Sequence, residues 1–336
     1  MRIDISERLK PFSHKSGTYF LLPGTTIRTQ IFPAFLRFHD LSRSEPQLIA
    51  EVPLKVQGPV EKFTVQQDLE HGEIVVWGQT QNGFFRYLIS ATRGFVIEKS
   101  PENTFFLAEL PSFEKLILAP TERLSLGSHK KQEWQLMERR CDLAEILPIW
   151  FRLGQWTPKV EKTNEGTAFL LNQIHNATHA EKASTLLHTL FLVGMDCGLS
   201  PRLEDTTFQG VDIPSINGGS PLQLLREGSE CIRDLFLQSE DAQINVLPLL
   251  PLAFHAGRMI NAQCGSLGIV HFEWSKKVIR RLIFTAGQTT SVQFSFSGKL
   301  RQCRVRSSSA GDSVLQLGQL LNVMQGQTYY LDRFEK

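Results

Sequence analysis

The chain has 336 residues, 41% of them hydrophobic and 21% charged. That is long enough for two or more domains of about 100 to 200 residues each, and too ordinary a composition for a disordered or fibrous protein. Its 36 basic and 34 acidic residues nearly cancel, with no sustained Lys/Arg stripe of the kind that neutralises phosphates, so nucleic acid is not expected as a partner. Five scattered cysteines (Cys141, Cys197, Cys231, Cys264, Cys303) without a C-x-x-C motif, an N-terminal MRIDISERLKPF without a signal-peptide pattern, and no run near the ~18 apolar residues of a membrane span lead us to expect a cytoplasmic chain with no membrane contact.

From Gly17 to about Ala119 the sequence reads as short β-rich runs punctuated by Gly, Pro and Asn: TYFLL, TTIRTQIF, FLRFH, QLIAEVPLKV, EKFTVQQDL, GEIVVWGQT, GFFRYLISA, GFVIEK, FFLAEL and KLILAP. Their lengths and spacing predict an antiparallel sandwich. Phe63 and Val65 alternate with Thr64 and Gln66, as in a half-buried strand, whereas Ile74 to Trp77 is continuously apolar and suits a strand covered on both faces. The aromatic load (Trp77, Phe84, Phe85, Tyr87, Phe95) reads as sandwich core, with a sugar-stacking surface as the alternative.

Between Lys130 and Gly154, apolar Trp134, Met137, Cys141, Ala144 and Ile146 fall near helical spacing, with a breaker at Pro148, which predicts a pair of linker helices. Two more helical runs occupy Thr163 to Leu199, where His175 and His179 stand one helical turn apart. That spacing can hold a metal, but no H-E-x-x-H and no third ligand accompany it, so no metal and no cofactor are expected. Asn176-Ala177-Thr178 fits a glycosylation sequon without meaning in a cytoplasmic chain. The stretch from Ser200 to Pro221 is rich in turn formers and carboxylates and is neither helix nor strand, which makes it the natural place for a site. Gly218-Gly219 lacks a following G-K-[ST] and reads as a turn. Leu222 to Leu237 forms a further amphipathic helix. Beyond Pro251 the runs GIVHFEW, VIRRLIFTAG, TTSVQFSFSG, LRQCRVRSS and TYYLDRF predict a second sandwich, with Val292, Phe294 and Phe296 alternating against Gln293 and Ser295. The basic cluster Lys276, Lys277, Arg280 and Arg281 reads as the solvent side of a strand pair.

The expected fold is therefore α+β and mainly β. An N-terminal β-sandwich would span residues 1–128, linker helices 129–157, a reduced helical domain 158–245 and a C-terminal β-sandwich 246–336. At the junction, Leu237-Gln238-Ser239, Ile244, Leu247-Pro248, Leu250-Pro251 and Glu273-Trp274 follow one another in an order and spacing that resembles glycoside hydrolase family 95, enzymes of α-fucosidase and α-galactosidase type. In that family a helix carrying L-L-Q-S precedes an I-x-L-L-P-A-L-P segment and a β-domain strand with E-W-x-x-G-x-L. The resemblance covers about a quarter of the chain, and it implies a helical (α/α) barrel, here only partial, between the two sandwiches. It also implies inverting hydrolysis, with one carboxylic acid protonating the leaving oxygen and a second carboxylate activating water.

Where the family places its base-side Asp, this chain has Leu225, within Pro221-Leu222-Gln223-Leu224-Leu225-Arg226-Glu227, and leucine cannot activate water. The family's S-P-E-N acid motif has an echo in Ser100-Pro101-Glu102-Asn103, which is also a good turn. Three readings follow. The chain is a degenerate glycoside-hydrolase-like protein binding carbohydrate or a protein partner without efficient hydrolysis. Alternatively it is an inverting glycosidase with Glu102 as acid and Asp212, Asp205 or Glu227 on the base side. The third reading is a structural or protein-interaction module; independently of these readings, either the helical barrel is drastically reduced or other subunits complete it. For a bound sugar the expected contacts are Trp156, Phe208 and Asn217, aromatic faces taking the sugar's apolar side while polar groups fix its hydroxyls.

Overall fold

A computed structural model describes residues 2–101, 105, 109, 111, 121–298, 300–307 and 311–336. Glu102, most of FFLAEL and all of KLILAP lie outside the described residues. Among the described residues the fold is mainly β, with five α-helices.

Eight of the N-terminal runs fold as strands and, with the short strand Phe12–Ser13, distribute over two antiparallel sheets. One has the order Phe12–Ser13, Glu61–Asp68, Glu73–Thr80, Gly83–Ser90, Gly94–Lys99; the other is the meander Thr18–Leu21, Ile27–Phe32, Phe35–Asp40, Gln47–Pro53. Their apolar faces meet through Phe38 and Phe95, whose ring centroids are 6.1 Å apart, above a core that includes Phe20, Val52, Val76 and Tyr87. Ile74, Val75 and Val76 are buried on both faces of their strand, as the unbroken apolar run requires. Thr64, expected on a wet face, is buried; its hydroxyl meets His14 Nδ1 at 3.0 Å. Phe85 and Tyr87 belong to the core, so the aromatic load here is mostly packing.

The helices are α1 (Trp134–Arg140), α2 (Leu143–Gln155), α3 (Phe169–His175), α4 (Ala180–Gly194) and α5 (Leu222–Phe236). The linker pair forms, but the break differs from the predicted one. The chain turns at Cys141, whose φ of 48° is left-handed, and restarts at Asp142, which accepts the Ala144 amide at 3.0 Å; α2 then runs straight through Pro148. Proline removes one helical hydrogen bond, and packing on both sides of α2 outweighs that loss. His175 and His179 do not share a helix: α3 ends at His175 and α4 is entered from His179, so the one-turn spacing that suggested a metal pair does not exist.

Helices α2 and α5 pack at backbone distance. A Cβ on Gly154 would stand 2.2 Å from Leu225 O, and one on Gly228 would stand 2.6 Å from the Trp150 ring, whose Nε1 donates to Leu224 O at 3.2 Å. In α5 the residues Leu222, Leu225, Ser229, Ile232 and Phe236 recur at three- and four-residue steps on the buried face, leaving Arg226, Glu227, Glu230 and Arg233 toward water. Three α-helices occupy the stretch between 158 and 240.

The junction contains an unpredicted hairpin. Leu237-Gln238-Ser239 falls on the strand Leu237–Glu240, not on the helix where the family motif would sit, and pairs with Gln243–Val246. That hairpin continues into a four-stranded sheet by parallel pairing of Gln243–Val246 with Thr290–Phe296, which pairs in turn with Leu320–Val323. The remaining large sheet has the order Arg123–Ser125, Ala256–Gln263, Gly268–Ser275, Val278–Ala286, Thr328–Glu335, Gln302–Ser307, Ser313–Gln316. Its Phe284 meets Phe294 of the four-stranded sheet edge-on at 5.4 Å. The end of α5 locks into the same core, with Phe236 stacked on Trp274 at 5.4 Å while Trp274 Nε1 donates to Phe254 O at 3.1 Å. The predicted alternation holds at Val292 and Phe294, which are buried beside half-exposed Gln293 and exposed Ser295. Lys276 and Lys277 form the turn of the Gly268–Ser275/Val278–Ala286 hairpin, both at positive φ, as a two-residue primed turn requires.

Candidate functional site: a braced surface loop

The irregular stretch Ser200 to Pro221 is a surface loop whose two roots dock on the same strand meander. At one root Ser200 Oγ accepts from Arg28 Nη1 (3.3 Å); at the other Ser220 Oγ donates to Leu41 O (2.7 Å). Inside the loop the segment Thr163 to Ala168 acts as a spine. The Thr167 amide and hydroxyl donate to Leu203 O (2.8 Å) and Arg202 O (2.7 Å), and the Gly166 amide donates to Pro214 O (3.2 Å). Gly166 has φ 55°, and a Cβ there would stand 2.5 Å from Leu203 O, so the close approach needs glycine.

Arg202 binds the loop to the end of α4. Its Nε and Nη2 donate to the carbonyls of Val193 (3.0 Å) and Leu192 (3.2 Å), two of the acceptors that a helix C-terminus leaves unpaired. Its Nη1 reaches Asp196 Oδ1 (2.7 Å) and Thr206 Oγ1 (2.8 Å), and Nη2 reaches Thr207 Oγ1 (3.0 Å). Asp205 closes the turn that follows, its carboxylate accepting from the amides of Thr207 (3.1 Å) and Gln209 (2.6 Å) and from the Thr207 hydroxyl (2.8 Å). Slight burial would raise the Asp205 carboxyl, but these hydrogen bonds prevail and hold it below the usual carboxylate range.

The braced loop presents Phe208 outward. Its ring is 90% exposed and its φ is 52°. With Asp205, Asp212, Leu203, Ile213 and Ile216 it lines an open depression of about 620 Å³. The expected residues thus divide. Asp205, Phe208 and Asp212 come together on the loop. Asn217 is a post of the loop base, its amide and Nδ2 both donating to the Glu165 carboxylate. Glu227 lies on α5, ion-paired with Lys162 and accepting from Gln223 Nε2 (2.9 Å), which also donates to Thr163 O (3.0 Å). Trp156, just beyond α2, is buried with the Arg152 guanidinium 4.4 Å from its ring centroid. Leu225 is a fully buried residue of α5, and its carbonyl faces Gly154 of α2.

Glu165, Thr167 and Arg202 are the residues that sequence reasoning missed. The signal for them was weak: an N-E-G-T run opening a helical segment, and an arginine next to the proline that follows α4. Elsewhere His175 Nδ1 lies 3.7 Å from Cys231 Sγ, but burial, reinforced by Asp234, pushes that thiol up to about 12, so it is no nucleophile at neutral pH. Among the described residues no group of three or more His, Cys, Asp or Glu side chains is placed to hold a metal ion, and no helix is long and apolar enough to cross a membrane.

No family model and no curated protein matches the chain.

Proposed function

We propose that this protein is a binding protein without hydrolytic activity, recognising a carbohydrate through the 203–216 loop. The observation that carries this reading is Phe208, a large apolar ring held in solvent on a loop that Arg202, Asp205 and Thr167 tie down from beneath. An exposed ring on a braced loop loses little entropy on contact, and the apolar C–H face of a sugar is a natural cover for it. Asp212, exposed on the same depression, is an acceptor for sugar hydroxyls.

The same geometry gives little support to hydrolysis. Inverting enzymes set an acid and a base about 6.5 to 9.5 Å apart across one cleft. Here Asp205 is committed to its own turn and Glu227 to Lys162 and Gln223, while Leu225 replaces the family base. In this reading the flanking sheets correspond to two sandwiches and the helices to a reduced (α/α) remnant between them, and the fold positions a loop rather than a catalytic cleft. Probing a glycan array and, in parallel, aryl fucosides and galactosides tests this: saccharide retention without release of the aryl group is expected. Turnover abolished by Glu102→Gln would overturn it. Silence on both, with retention of a protein partner that Phe208→Ala abolishes, would replace the sugar by a protein.

A further inference from the structure

Where α2 meets α5 the surface carries a cleft of about 230 Å³, walled by Phe151 of α2, by Arg226, Ser229 and Glu230 of α5, and by the segment Thr121-Glu122. That volume is below the roughly 300 to 1,000 Å³ of pockets for drug-sized ligands, so it suits a small occupant. One charge pair in the cleft is closed. Arg233 Nε donates to both Glu122 oxygens (3.1 and 3.0 Å), its Nη1 and Nη2 donate to the carbonyls of Leu237 and Gln263, and Glu122 Oε1 also accepts the Gln263 amide at 2.8 Å. The other pair is open. Arg226 Nε stands 4.0 Å from Glu230 Oε1, too far for a hydrogen bond, and the two side chains are 31% and 53% exposed. Arg226 Nη1 donates to Thr157 O at 2.9 Å, which fixes the guanidinium. Among the described residues, Arg226 Nε and Nη2 and the Glu230 carboxylate have no hydrogen-bond partner. In the cleft wall the Thr121 hydroxyl is buried without a partner as well. The fold thus leaves one accessible cation and one accessible anion side by side and unused.

We propose that this cleft binds a free α-amino acid as its zwitterion, the α-carboxylate accepting from Arg226 Nε and Nη2 and the ammonium donating to the Glu230 carboxylate. An α-amino acid carries both charges on one carbon, so a single small molecule can meet an arginine and a glutamate that stand close without touching. The Nε and Nη2 groups form a planar fork that matches a carboxylate, and the bond from Nη1 to Thr157 O holds that fork in place. A simple carboxylate at Arg226 would meet the like charge of Glu230, and a simple amine at Glu230 that of Arg226. The zwitterion offsets both, which selects it over either half. The closed Arg233–Glu122 pair adds no net charge to the cleft and stays structural. The site is separate from the Phe208 surface and does not depend on the reading proposed for it.

The test is a titration of the full-length protein with glycine, L-alanine and L-glutamine, and in parallel with N-acetylglycine and glycinamide, at ionic strength held constant with chloride. The readouts are the thermal midpoint and the Nε–H resonance of Arg226. A saturable rise in midpoint with movement of the Arg226 signal is expected for at least one of the three amino acids. N-acetylglycine lacks the ammonium and glycinamide lacks the carboxylate, so each should bind about tenfold more weakly than glycine or worse. Glu230→Gln and Arg226→Gln should each weaken the response to the amino acid by about tenfold or more. Glu230 makes no hydrogen bond in the fold, so Glu230→Gln decides alone if Arg226→Gln does not fold. No saturable response to any of the three amino acids, equal binding of N-acetylglycine and glycine, or an undiminished response in Glu230→Gln overturns the proposal.

Discussion

Arg202 and Phe208 divide the work of the candidate surface: one builds the loop and the other faces outward. Phe208 buries nothing, so Phe208→Ala should leave stability within about 0.5 kcal/mol of the parent, read from a urea midpoint. Arg202→Met leaves Asp196 and the last carbonyls of α4 without their donor and should cost about 1 to 3 kcal/mol while also exposing the 203–216 loop to protease; equal stability and equal nicking would show that the fork does not hold the loop. Asp68 gives a pH test at the same scale. Burial alone raises its carboxyl, but hydrogen bonds from Lys10 Nζ (2.6 Å), His71 and the Glu70 amide prevail and hold it below the usual range. A carboxyl whose folded pKa is depressed stabilises the fold above its unfolded value of about 3.9, and that contribution disappears as pH falls through the depressed value. The parent should therefore lose stability more steeply on acidification than Asp68→Asn, and parallel profiles would contradict the assignment. Asp205 and Glu227 were readable as carboxylates near a loop. That Asp205 is taken up by its neighbours Thr207 and Gln209, and Glu227 by the distant Lys162, was not readable, because partners far apart in sequence, like Glu165 and Asn217 at 52 residues, carry no short sequence signature.

Among the elements, the contact of α2 with α5 is the least tolerant. Gly154→Ala would drive a methyl group against the Leu225 carbonyl at 2.2 Å, and the helices must separate to admit it; a loss of about 1 to 3 kcal/mol is expected, and an unchanged midpoint would mean that the helices are not in backbone contact. The period-two and period-3.6 patterns made most of the longer strands and the helical runs legible. The elements missed lack such patterns. Ala256–Gln263 alternates weakly and bulges between Met259 and Ala262, Leu237–Glu240 follows a helix directly, and Arg123–Ser125 is three residues long. Pro148 misled for the converse reason: a breaker by propensity, it is held in helix by the packing around it.

At the scale of the whole molecule, segments distant in sequence complete each other's sheets. Arg123–Ser125 pairs with Ala256–Gln263, and the hairpin after α5 enters its sheet by pairing with Thr290–Phe296. The buried side chains form one continuous apolar core from Leu9 to Leu331. A fragment ending at residue 245 would leave the Gln243–Val246 strand without its parallel partner and should be recovered insoluble or unfolded. A soluble fragment with native near-ultraviolet dichroism would show that the N-terminal part folds alone. The order of sheets and helices could be read from hydropathy patterns, but the long-range pairings could not, since register between strands more than a hundred residues apart is set by tertiary packing rather than by local composition.

The central claim, that Phe208 on its braced loop is a contact surface for a sugar, is tested most directly by calorimetric titration of the saccharide selected on the array into the parent protein and into Phe208→Ala. Saturable binding by the parent and at least about a tenfold loss in the variant are expected, with the saccharide recovered intact. Equal affinity of the two proteins, or a hydrolysed saccharide, would contradict it.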